Sequence, residues 1–132
     1  MRVRYSFSSR HTGHARNPEN VKKKKKKFEV VLDEVIEQAD IILEILDSRF
    51  FSETRNIEVE ERLKKEGKVI IYVLNKSDLI DTKKIEKSKL KEVEPYAFVS
   101  CKDRIGIKNL RDKIKINSKK LKQEKVTVGV IG

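Results

Sequence analysis

A chain of 132 residues suits one domain and can bury roughly two-thirds of its unfolded surface. Hydrophobic residues make up 37% and charged residues 40%, so the core must be lean; no apolar run approaches the about 20 residues of a membrane helix, which excludes a spanning role. The single cysteine, Cys101, excludes an internal disulfide and points to a reducing, cytoplasmic setting.

The net charge of +11 is unevenly spread. Residues 1–27 hold ten Lys or Arg against Glu19 alone, whereas residues 28–132 hold 22 basic and 20 acidic residues. The basicity therefore belongs to an N-terminal arm (1–27), followed by a nearly neutral body (28–132). The opening MRVRYSFSSRHTGHAR has the Arg- and Ser-rich, acid-free composition of a transit peptide. Its Val3, Tyr5 and Phe7 alternate with polar residues, however, and that period of two makes no amphipathic helix. His11 and His14, with no cysteine or third ligand near them in sequence, make a poor zinc set, and no metal site is expected there.

After the arm, Phe28, Val31, Leu32, Val35, Ile36 and Ala39 fall on one helical face. IILEIL (41–46) reads as a strand, with Glu44 an awkward interruption. RNIEVEERLKKEG reads as a helix closed by Gly67, with Lys64 and Lys65 in the last turn where the helix dipole favours cations. VIIYVL (69–74) is uninterrupted and apolar, as in a strand buried on both faces. A third helix is expected from Asp81 or Thr82 to about Val93, and a strand at YAFVS (96–100). A fourth helix follows over 107–121, with Ile107, Leu110 and Ile114 inward, and VTVGVI (126–131) is the last strand. A helix followed by four strands separated by three helices predicts an α/β fold with a parallel four-stranded sheet flanked by helices.

In open parallel sheets ligands bind beyond the carboxyl ends of the strands. The loops to inspect are therefore DSRFFSETRN, NKSD, SCKDRIG and whatever follows Gly132. NKSD (75–78) follows the second strand directly. A carboxylate there, Asp78, can accept from the N1–H and exocyclic amine of guanine and would be left unpaired against adenine. Asn75 would tie the neighbouring loops and touch the base edge, and the Lys76 stem would lie along a base face. Taken alone, the tetrapeptide fits a polar turn equally well. SCK (100–102) ends the next strand, one helix later. There the Cys101 backbone N–H could donate to guanine O6 and the Lys102 stem could cover the other side of the base. A nucleophilic role for Cys101 lacks a neighbouring histidine in sequence. Asp47, Arg49, Thr54, Arg55 and Asn56 lie in a strand-end loop without individual roles.

NKSD resembles the guanine-specificity motif of Ras-like GTPases, usually NKxD, and SCK its companion, usually SAK. In ordinary GTPases the phosphate-binding loop precedes both. Here VTVGVIG comes after them and resembles the strand entering that loop, with Gly132 matching the first glycine of GxxxxGK followed by Ser or Thr. This order resembles that of the circularly permuted GTPases of ribosome assembly, the YlqF-like and YjeQ-like proteins. ADIILEILDSRFFSETRN is similar to the ADVVLEVLDARDP…TRN stretch of the YlqF-like branch and departs from it at Phe51, where proline is common.

The resemblance covers about residues 28–132 and implies a Ras-like P-loop fold, permuted and ending at the phosphate loop, with the last strand beside the first in the order fourth, first, second, third. It implies GTP or GDP as ligand, read by Asn75, Lys76, Asp78, Ser100, Cys101 and Lys102. Mg²⁺ and hydrolysis would depend on loop and switch residues beyond Gly132, so this chain alone is expected to be inactive. The outer side of VTVGVI would be an open edge, exposed to self-association. Lys22, Lys23, Lys24, Lys25, Lys26 and Lys27 are candidates to contact ribosomal RNA through its phosphates, without base reading. The alternative is a non-enzymatic RNA- or ribosome-binding module that keeps a nucleotide-binding shape.

Overall fold

The computed structural model describes residues 18–132, with side chains from Lys27 onward. The readings of residues 1–17, including His11 and His14, and of the side chains of Lys22 to Lys26 lie outside the described residues. Four strands, β1 (Ile41–Asp47), β2 (Val69–Asn75), β3 (Tyr96–Phe98) and β4 (Val128–Ile131), form one sheet in the order β3-β2-β1-β4. Every neighbouring pair is parallel. The expected α/β class, parallel sheet and strand order are all observed.

Alternation along the strands builds two cores. Ile42, Leu46, Ile70, Tyr72 and Leu74 pack with Ile36 of α1 (Pro18–Gln38), Ala39 just past its end, Phe51 of α2 (Phe51–Thr54), Leu63 of α3 (Ile57–Lys65) and Leu90 of α4 (Lys87–Lys91). On the other face Ile41, Leu43, Ile71, Val73, Ala97, Val99 and Val128 pack with Leu110, Ile114 and Leu121, at or just beyond α5 (Ile107–Lys120). Each such aliphatic side chain contributes about 1.5–3 kcal/mol on full burial. Among the described residues α5 alone covers its face, touching β3, β2 and β1 as the chain crosses from one sheet edge to the other.

Several elements differ from expectation, each for a physical reason. Phe28 and Val31 are exposed because α1, about 31 Å long, outruns strands of about 23 Å, so only its last turns meet the sheet. The single helix expected from 81 to 93 is instead a 3₁₀ turn (Thr82–Lys84) followed by α4. Asp81 closes that turn by accepting from the Lys83 N–H at 3.1 Å. Ile85 and Leu90 both face the core; on one continuous helix they would lie about 140° apart. Ile107, expected inward, stands at the first residue of α5 and is 36% exposed. Strand β3 stops at Phe98, and Ser100 pairs instead with Ile105 in an antiparallel bridge. The entrance to β4 is fixed by Asp40, whose backbone N–H donates to Thr127 O at 2.8 Å and whose carboxylate accepts from Thr127 N–H at 3.0 Å.

Helix α1 reaches the sheet edge by packing directly on Gly129. A Cβ there would lie 2.7 Å from Val35 Cγ1, 3.0 Å from Ala39 Cβ and 3.1 Å from Ile42 Cδ1. Gly129→Ala is expected to overpack this contact and cost about 1–3 kcal/mol, read as a lower denaturant midpoint with an unchanged m-value.

Candidate functional site

The parallel register sets Asp47 at the end of β1 directly beside Asn75 at the end of β2, and the Ser48 N–H extends the ladder to Asn75 O at 2.8 Å. Beyond Asn75 the chain reverses sharply at Lys76, whose φ of 62° and ψ of 33° lie in the left-handed region. A non-glycine residue pays roughly 1–2 kcal/mol for that conformation. Backbone bonds hold it there: Ser77 N–H donates to Val99 O at 3.2 Å, and Leu79 N–H to Lys76 O at 3.0 Å. The reversal carries Lys76 Nζ to within 3.4 Å of Asp47 Oδ2 and turns Asp78 towards the loop after β3.

That loop is equally constrained. Ser100 and Ile105 exchange backbone hydrogen bonds of 3.0 and 3.1 Å. Gly106 follows at φ 83°, where a Cβ would fall 2.0 Å from the Phe98 carbonyl oxygen, so only glycine closes this turn. Buried Ser100 donates its hydroxyl to Asp78 Oδ1 at 2.9 Å and accepts from the Asp103 N–H at 3.2 Å. The Cys101 N–H donates to Asn75 Oδ1 at 3.4 Å. NKSD and SCK thus interlock side chain to side chain and side chain to backbone, across the carboxyl ends of adjacent strands. The second oxygen of Asp78 has no hydrogen-bond partner among the described residues, and Asp78, Lys76, Cys101 and Lys102 are exposed at the mouth. Gly132 continues β4 past its pairing of Ile131 with Glu44, and its Cα side meets Ile45.

Two groups in the loop after β1 escaped individual assignment. Asp47 accepts from the Arg49 side chain (2.9 and 3.1 Å) and from the Arg49 backbone N–H (2.9 Å). These bonds, with Lys76 in support, hold its carboxyl well below the usual range. Arg49 in turn lies 5.5 Å from the ring centroid of exposed Phe50. The only local signal for this pairing is Asp-Ser-Arg at the strand end, which by itself assigns no role, and nothing in the linear pattern puts Lys76 beside it.

The other group anchors the far end of the same loop. Glu60, fully buried, accepts from Arg55 Nε (3.0 Å), Arg55 Nη2 (2.7 Å) and the Tyr72 hydroxyl (3.0 Å). Buried Glu44 accepts from the Asn56 N–H at 3.0 Å through Oε1, while its buried Oε2 accepts from no donor among the described residues. Burial pushes Glu44 up to about 7, with the Glu60 charge adding to the effect. Burial opposes ionisation of Glu60 too, but hydrogen bonds from Arg55, Glu44 and Tyr72 hold it below its ordinary value. A protonated Glu44, an ionised Glu60 and a cationic Arg55 make a buried cluster with no net charge, and the proton gives Glu44 a donor for Glu60. Glu44 is therefore a member of a polar cluster, not a flaw in the strand.

No family model matches the chain. Among curated proteins, a GTP-binding protein of Methanocaldococcus jannaschii is 40% identical over 109 residues, which are 83% of this chain and 29% of that protein. The guanine nucleotide-binding protein-like 3 of Rattus norvegicus is 36% identical over 89 residues, 67% of this chain and 16% of that protein. The nucleolar GTP-binding protein 2 of Saccharomyces cerevisiae is 47% identical over 53 residues, 39% of this chain and 11% of that protein. The chain is similar to GTP-binding proteins. It spans less than a third of the length of each of these relatives, and its parallel α/β sheet is consistent with a P-loop GTPase-like fold. Among the described residues no helix is long and apolar enough to cross a membrane, and no three His, Cys, Asp or Glu side chains group as a metal site.

The buried cluster makes stability depend on pH in a defined direction. The unfolded chain releases the Glu44 proton near the ordinary value of 4.5, whereas the native chain keeps it to about 7. The Glu44 contribution is thus fully present below pH 4.5 and is lost as pH rises to about 7. Glu44→Gln keeps an acceptor for Asn56 and a donor for Glu60 but cannot ionise. Denaturant titrations at pH 5 and 8 should show the variant gaining on the parent by on the order of 2–3 kcal/mol across that interval. A gap that does not change with pH would exclude a proton on Glu44.

Proposed function

We propose that the chain is the guanine-recognising part of a circularly permuted GTPase, nearest the YlqF-like branch, that acts in ribosome assembly. The observation that carries this reading is the interlock of NKSD with SCK on neighbouring strand ends, in a chain similar to GTP-binding proteins over 83% of its length. Asp78 reads the base: Ser100 fixes one carboxylate oxygen, and the exposed second oxygen is available to the N1–H and amine of guanine. The stems of Lys76 and Lys102 flank the base. Asn75 braces the two loops, and the Cys101 N–H, held in a long bond to Asn75, is the donor for guanine O6.

Strand order supports the placing of the phosphates. With strands about 4.8 Å apart, β4 lies two strands from the NKSD strand β2 and three from β3. Gly132, opening the phosphate loop, then stands about 10–14 Å from the base-reading groups, a span suited to a nucleoside di- or triphosphate. Mg²⁺ would be held by the phosphates and by residues following Gly132, and GTP hydrolysis would belong to the longer protein. The name of the nucleolar relative supports a ribosome-related role; a cytoplasmic setting and contact of Lys22 to Lys27 with ribosomal RNA complete the proposal.

Asp78→Asn replaces the acceptor of two guanine donors by an amide that can donate to the 2-oxo group of xanthine. Competition binding should show GTP affinity reduced about 10- to 100-fold, the loss expected for a hydrogen-bond pair worth 1–3 kcal/mol, with XTP overtaking GTP. Unchanged preference for GTP over XTP would remove Asp78 from the role given to it.

A further inference from the structure

The near-neutral balance of residues 28–132 conceals a strong segregation. Residues 107–125 hold eight Lys or Arg against Asp112 and Glu124, so the rest of the body carries four more acidic than basic residues. Four of the cations, Lys108, Arg111, Lys115 and Lys119, are spaced by three, four and four residues along α5. At 100° per residue they fall within an arc of about 80° and form a row about 16 Å long. All four are exposed, on the side away from Leu110, Ile114 and Leu121, which pack against the sheet. Lys122, just past the helix end, is exposed as well.

This arrangement is unfavourable within the chain. Arg111, Lys115 and Lys119 are like charges at i, i+4, which repel. Lys108 and Arg111 stand near the positive end of the helix dipole, and the first turn contains no acidic residue to offset it. Asp112, beside the row, makes no ion pair with it, and none of the ion pairs among the described residues involves α5. Among the described residues no ion pair neutralises the row, so it is complementary to an external polyanion.

We propose that the outer face of α5 is a docking surface for the phosphate backbone of RNA. Neighbours in such a row lie about 5–6 Å apart, a spacing suited to successive phosphates along one strand. No aromatic side chain lies in the row to stack on bases, so the contact reads charge and shape and not sequence. An anionic bilayer is a poorer fit, because a helix lying on a membrane inserts an apolar face, and that face of α5 is already packed on the sheet. The surface is separate from the lysine run: α1 packs on one face of the sheet and α5 on the other. The choice of RNA over DNA rests on the ribosomal reading above; the charge argument does not.

The test is the salt dependence of binding by the full chain to a fluorescently labelled RNA duplex, followed by anisotropy. Combined Lys108→Gln, Arg111→Gln, Lys115→Gln and Lys119→Gln should reduce the slope of log affinity against log salt by about 3–4. Glutamine has nearly the helix propensity of lysine, and the double variant Arg111→Gln with Lys119→Gln should lose about half as much. Changing Lys22 to Lys27 to glutamine should leave the α5 contribution in place. A slope altered by less than one in both α5 variants would overturn the proposal, and so would equal affinity and equal loss with a DNA duplex of the same sequence. Guanine-nucleotide affinity, measured in parallel, should be unchanged by the α5 substitutions. Failure of nucleotide binding in the parent chain would count against the guanine reading and leave the salt-slope result standing.

Discussion

The Glu60 carboxylate is the contact on which the site end of the sheet depends. It is buried between α3 and β2, where an unpaired charge would be costly, and it is accommodated by two guanidinium bonds and one phenol bond. Arg55 ends the loop that begins at Asp47, Tyr72 belongs to the central strand, and Glu44 belongs to β1. One cluster therefore fixes how α3 lies on the sheet and where the β1 loop returns. Removing Arg55 would leave a buried carboxylate without its counter-charge, the situation in which broken buried pairs cost about 3–5 kcal/mol.

From that anchor the order propagates to the mouth. With the far end of the β1 loop fixed, Asp47 stays at the strand tip, and Arg49 and Lys76 close over it. The Asp47 carboxylate offers Lys76 an electrostatic contact that supplements the backbone bonds holding its left-handed turn. That turn then directs Asp78 to Ser100. Each step links a strand end to the next, which is why a three-residue β3 suffices: its following loop is held by Ser77, Asn75 and Asp78 as well as by the ladder.

Much of this was legible in the sequence where the signal was local. VIIYVL gave β2, the polar tetrapeptide after it marked the loop, the sequence order of the elements gave a parallel sheet, and the resemblance to the permuted GTPases implied the strand order. Asn75, Asp78, Ser100 and Cys101 are indeed brought together. Long-range pairing was not legible. Glu44 read as a defect in an apolar strand because its partners, Asn56 and Glu60, lie 12 and 16 residues on and meet it only when α3 folds back. Ser100 was grouped with the base-reading residues, but its observed contact is to Asp78, 22 residues earlier. The interrupted helix over 82–91 was missed for a different reason. Five lysines supplied helix propensity throughout, while the decisive fact was the five-residue spacing of Ile85 and Leu90.

The two faces of the sheet divide the work differently. Among the described residues one face carries four helices and the buried polar cluster; the other carries α5 alone, with a simple aliphatic seam beneath it. A helix that has only to cover an apolar face is free in the composition of its outer side, and solubility would be met by mixed charge. The outer side of α5 instead keeps cations at i, i+4 and near the positive end of its dipole, against the repulsion that follows. Because Gly106, the residue just before α5, also closes the SCK loop, that charged face is joined to the candidate base-reading site by a turn with no room for a side chain beside the Phe98 carbonyl.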